Sequence, residues 1–124
     1  MNAIAAVKPK PEEVLTNALM NAAEQLDFSQ AEIAKIVGVS AATVSRMSSG
    51  AYLLDANRAE WDSAATLVLV YRSLASILPN NIQEMRAWLH SINYDFGDVP
   101  AKLMLKPSGL HQIRSYLDAY RGRA

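Results

Sequence analysis

The chain has 124 residues, 51% of them hydrophobic, which gives it material for one core or two small cooperating ones and excludes an intrinsically disordered chain. It has no cysteine, so disulfides and thiolate metal sites are excluded, and this composition fits a cytoplasmic protein. Twelve Lys and Arg balance twelve Asp and Glu, and a chain of zero formal charge holds phosphate backbones only weakly as a monomer.

The opening Met1 to Val7 is too short for a signal peptide and lacks its charged start. Residues 1–10, running into the Lys-Pro-Lys-Pro sequence, read as a flexible leader. Pro11 suits the first turn of a helix. From Glu12 to Leu26, Val14, Leu15, Ala18, Leu19, Ala22, Ala23 and Leu26 recur at helical spacing as a core-facing stripe.

The segment from Phe28 to Gly50 reads as two short helices joined by a tight turn. Ser29 and Glu32 have the spacing of a capping box, and Phe28 with Ile33 that of a hydrophobic staple. Ser40 repeats the cap, and Val39 with Val44 repeats the staple. Gly38 stands between the helices, where a left-handed backbone closes the first at low cost. Ala34 permits a close crossing, and Ile33, Val37, Val39, Val44 and Met47 supply an apolar seam. This is the pattern of a helix-turn-helix, which presents its second helix to the DNA major groove. The alternative is a purely structural helix pair with a solvated outer face.

On the DNA reading, Ser40 caps the recognition helix, and Ala41, Ala42, Thr43, Ser45 and Arg46 include its outward face. Arg46 is the long donor, able to grip guanine or a phosphate. Thr43 offers a hydroxyl or a methyl, while Ala41 and Ala42 offer close approach. Gln30, opening the preceding helix, is placed to reach a phosphate. Residues 1–60 hold Lys8, Lys10, Lys35, Arg46 and Arg58 against seven acids, so this half is slightly acidic. The expected remedy is a homodimer, which sets two recognition helices on successive turns of a palindromic operator.

Ala51 to Asn57 reads as a link. Trp61 to Leu78 forms a long helix, apolar nearly all round, which demands cover on several sides. The stretch from Ala64 to Leu78 is interrupted by Arg72 and too short to span a bilayer, so no membrane partner is expected. Pro79-Asn80-Asn81 breaks the helix. Ile82, Met85, Trp88, Leu89 and Ile92 mark the next one, and Asn93 to Val99 is a loop with Gly97 as its flexible point. Pro100 to Leu105 makes a short helical turn that Lys106-Pro107 stops. Ser108 then caps a last helix with Leu110, Ile113, Leu117 and Tyr120 as its stripe. No alternating strand pattern occurs. The expected fold is all-α: a helix-turn-helix bundle over residues 11–58, followed by a small helical domain over 59–124.

No catalytic constellation is visible. His90 and His111 lack ligand spacing or a third donor, so neither a metal nor a cofactor is expected, and both read as surface or interface histidines. Trp61 and Trp88 lie on apolar stripes and read as core. Tyr94 and Asp95 read as solvated turn residues that could also contact a partner.

Residues 61–124 resemble the C-terminal domain of the Xre/MbcA/ParS-type antitoxins. The likeness rests on Ala65, Val68 and Tyr71-Arg72, then Ala87-Trp88-Leu89, Asn93 and Gly97, Pro100 with Leu103-Met104-Leu105, and Gly109-Leu110. The N-terminal part is similar to the Xre-like helix-turn-helix that precedes this domain in the same family. Family members often carry proline before the asparagine, where this chain has Ile92. The resemblance implies an antitoxin that holds a RES-domain, NAD-depleting toxin inactive and represses its own operon. For toxin contact, the basic end of the chain points to Tyr120, Arg121 and Arg123 at the toxin's active-site entrance, with Arg114 and Lys102 on the rim; charge-paired arginines and aromatic anchors suit such an interface. The alternative at that end is a solvated terminus. For the whole chain, the alternative is a stand-alone regulator whose second half serves only for dimerisation or effector sensing.

Overall fold

The structure, a computed structural model, describes residues 8–122. Within them the chain forms seven helices and no strand, only an isolated antiparallel bridge between Asn93 and Asp98. The helices are α1 (Pro11–Gln25), α2 (Gln30–Val37), α3 (Ala41–Ser48), α4 (Ala59–Ile77), α5 (Ile82–His90), α6 (Pro100–Leu103) and α7 (Pro107–Gly122). The all-α expectation and the order of the two parts hold. Most of the expected leader, residues 1–7, lies outside the described residues.

The organising element is α4. It packs along α1 and α2 on one side and along α7 and α5 on the other. Leu67, Val70, Leu74 and Ala64 are fully or almost fully buried there, which answers the demand of a helix that is apolar nearly all round. Leu19, Leu26 and Val44 fill the core on the N-terminal side, and Leu89, Met104, Leu110 and Ile113 fill it on the C-terminal side. These belong to one continuous cluster.

The link from Ala51 to Arg58 is tied down by two buried polar residues. Thr16, inside α1, donates to the Glu12 carbonyl and accepts from the Leu54 amide at 2.9 Å. Glu60 Oε2 accepts from Tyr52 Oη at 2.8 Å and from the Asp55 amide at 2.9 Å. Both partners of the carboxylate are donors, which is how a buried carboxylate stays satisfied. The same bond favours the protonated phenol. Together with desolvation and the nearby Glu60 charge, it raises the Tyr52 pKa.

Several local expectations are corrected. Val14 lies on the expected core stripe yet is 52% exposed. Trp61 and Trp88 are half-buried rather than core. The short helix α6 does end before Lys106-Pro107, but Pro107 also starts the next one: its fixed φ suits the first turn of α7, and Ser108 sits inside that helix instead of capping it. Gly109 explains the join. A Cβ there would collide with the Leu103 carbonyl, so only glycine allows α7 to approach α6 this closely.

Candidate functional site

The first candidate site is the surface of α2 and α3. The capping box of α2 is complete: the Ser29 amide donates to Glu32 Oε1 at 2.8 Å, and the Glu32 amide to Ser29 Oγ at 3.1 Å. Phe28 and Ile33 are both buried, as a staple requires. Gly38 takes φ 84°, and the amides of Gly38 and Val39 both return to the Ala34 carbonyl, closing α2. The chain then enters α3 through Ser40, whose Oγ accepts from the Thr43 amide at 3.0 Å. Val44 and Met47 face inward, so the remaining face of α3 is turned to solvent.

On that face Ser40, Ala41, Ala42, Ser45 and Arg46 are exposed, and Gln30 is exposed at the start of α2. Thr43 departs from expectation: it is buried to 9% exposure, and its hydroxyl lies 2.9 Å from Ser40 Oγ. Arg46 Nη2 donates to Thr43 Oγ1 at 3.1 Å. Thr43 therefore supports the neighbouring donor rather than projecting outward. Helical position explains this: Thr43 neighbours the inward-facing Val44 and Met47, the latter one turn on.

The second candidate site is the surface of α5 to α7. Here the expected partner residues do not form one patch. Lys102 is exposed on α6, beside the tight approach of Leu103 and Gly109 at the start of α7. Tyr120 and Arg121 lie at the far end of α7, about 18 Å further along at 1.5 Å per residue. The expected basic tail is also corrected in part. α7 stays helical to Gly122, so Tyr120 and Arg121 are helix residues, while Arg123 lies outside the described residues. Asp118 holds the two nearby cations: Arg114 Nε is 3.5 Å from its Oδ2, and Arg121 Nη2 is 3.9 Å from its Oδ1. These pairs are partly exposed and hold the side chains only loosely.

Three arrangements here were not anticipated. Arg86 Nε donates to the Gln25 carbonyl at 2.8 Å, and His90 Nε2 lies 2.8 Å from the Leu26 carbonyl oxygen. Both side chains of α5 thus serve the orphan carbonyls at the end of α1. Secondly, Tyr116 stacks on Trp88 with ring centroids 6.1 Å apart, and Phe96 meets Tyr116 edge-on at 4.8 Å. Thirdly, Tyr116 Oη donates to Asp95 Oδ2 at 2.7 Å, pinning the loop before α6 onto α7.

A capped helix pair with an open outer face and a second helical unit are thus built on the same long helix. Residues 5–68 match the antitoxin Xre-like helix-turn-helix domain, and residues 73–123 match the antitoxin Xre/MbcA/ParS C-terminal toxin-binding domain. This chain belongs to the Xre-type antitoxins. Both matched domains are non-enzymatic, so the antitoxin acts by binding. Its first domain is of a DNA-binding kind and its second of a toxin-binding kind. A comparison with curated proteins finds no significant match. Among the described residues, no helix is long and apolar enough to cross a membrane.

The two matches end and begin at Val68 and Ser73, both inside α4 (Ala59–Ile77). The antitoxin therefore has no linker between its modules. One uninterrupted helix carries the core of each.

Proposed function

We propose that this antitoxin neutralises a RES-type, NAD-depleting toxin and represses its own operon as a homodimer. The observation that carries the reading is the order of the two matched domains, a DNA-binding module followed directly by a toxin-binding one. The RES assignment follows the family resemblance.

In this reading α3 enters the major groove from its N-terminal end. Arg46 makes the polar contact to guanine or phosphate, Ala41 and Ala42 allow close approach, and Ser40, Ser45 and Gln30 reach the backbone. Thr43 positions Arg46. For the toxin, Tyr120, Arg121 and Arg123 act at one end of α7, with Arg114 beside them. Lys102 serves as a separate rim contact at the other end.

Dimerisation supplies what the charge balance lacks. A groove of about 460 Å³ between α1 and α4 supports a place for it. Val14, Trp61, Ala65, Leu69 and Arg72 line it. On α4, positions 61, 65, 69 and 72 share one face. Laid antiparallel on a second copy, Trp61 meets Arg72 of the partner subunit, a favourable cation–π pairing, while the small Ala65 lets the helices approach. This antiparallel pairing gives the face the self-complementarity that a two-fold interface requires.

The test is co-expression with the gene adjacent to the antitoxin's own. The toxin alone is expected to empty the cellular NAD pool, and the antitoxin to preserve it through a complex that co-purifies. An NAD pool untouched by the neighbouring gene product overturns the RES assignment.

A further inference from the structure

We propose that the toxin docks on the loop between α5 and α6, with Tyr94 as the central anchor. This rests on the toxin-neutralising reading above and names the surface that performs it.

The matched toxin-binding segment must present some surface to its partner. Among its described residues, three large hydrophobic side chains stay exposed: Ile92 at 66%, Tyr94 at 96% and Tyr120 at 52%. An exposed tyrosine on a loose loop would carry little weight, because the entropy lost in ordering the loop would offset the attraction of the ring. This loop is already ordered. The Asn93 amide donates to the Asp98 carbonyl at 3.0 Å, closing the turn as a bridge. The Gly97 amide returns to the Asn93 carbonyl at 2.9 Å, and the Asp95 amide to Asn93 Oδ1 at 2.9 Å. Below the turn, Phe96 wedges against Trp88 and Tyr116, and Asp95 is held by the Tyr116 hydroxyl.

Tyr94 thus stands at the tip of a braced turn with its ring wholly in solvent. Its side chain has few rotatable bonds, a flat apolar body and a hydroxyl, the combination enriched at the energetic centres of interfaces. Tyr120 lies one turn beyond Tyr116 on α7, so it borders the same aromatic support. Beside it is a niche of about 160 Å³, walled by Leu74, Ile77, Trp88 and Tyr120. The partner surface that fits is apolar, with a hydrogen-bonding group for the Tyr94 hydroxyl and one protruding apolar side chain for the niche. Ile92, expected on the apolar stripe of α5, instead lies past the end of that helix and is exposed beside Tyr94.

The test uses the full chain and the purified product of the adjacent gene. Binding is measured by titration calorimetry, and neutralisation by NAD retention in cells. Tyr94→Ala is expected to weaken binding by about a hundred-fold, and Tyr94→Phe to keep most of it. The Tyr94 ring is almost wholly in solvent, so the thermal midpoint and operator binding should not change. Toxin binding by Tyr94→Ala at wild-type strength overturns the proposal. A wild-type chain that fails to bind the toxin overturns the toxin-neutralising reading as well, and the two failures are told apart by that control.

Discussion

Arg46 donates to Thr43 Oγ1 at 3.1 Å, so the cation of α3 is steadied by a buried residue one turn earlier. The guanidinium is exposed, yet its approach direction is set before any ligand arrives.

Replacing Arg46 with alanine should therefore weaken operator binding by about 1–3 kcal/mol and leave the fold intact. Fluorescence anisotropy at one fixed salt concentration measures this. Thr43→Val should cause a smaller loss, because the contact survives without its support. Unchanged affinity in Arg46→Ala removes that residue from the reading face.

The α1–α4 groove gives a second expectation. On the homodimer proposed above, Leu69→Glu places a charge in this groove and is expected to convert dimers to monomers in sedimentation. Operator affinity should fall with it, since half-sites are then bound singly. A dimer that persists in this variant places the interface elsewhere.

Gly109→Ala tests the close join of α6 and α7. The added Cβ would meet the Leu103 backbone, and backbone cannot rotate away as a side chain can. The expected loss is about 1–3 kcal/mol or more, read as a lower urea midpoint with an unchanged slope. A midpoint equal to that of the wild type would mean that the two helices tolerate separation.

Tyr52 and Glu60 make stability depend on alkaline pH. The Tyr52 pKa is raised in the folded chain, chiefly by its hydrogen bond to Glu60. A raised folded value means the contribution is fully present below the ordinary phenol pKa, near 10, and is lost as pH rises through the folded value. Thermal melts between pH 8 and 11 should show a fall that Tyr52→Phe reduces. Equal slopes in the two chains would rule out this phenol as the source.

The helix-turn-helix was legible because its signals are local. Ser29, Glu32, Gly38 and Ser40 act within a few residues of themselves, and each takes the role that its spacing implies. The burial of Thr43 was less visible, since a short polar side chain fits either face and the choice is made by packing behind α3. Pro107 read only as a stop for the short helix before it; that it also opens α7 follows from its fixed φ, which suits a first turn. Arg86 and His90 gave no signal at all. Their partners are main-chain carbonyls more than 60 positions earlier, which carry no side-chain signature. Glu60 was hidden for a related reason: its partners sit in a stretch that reads only as a connector.

α4 runs without a break through the point where the two family matches meet. The bundle of α1 and α2 and the helices α5 and α7 all pack on it. The two halves therefore hang on one shaft, and neither can be cut away without stripping cover from the other.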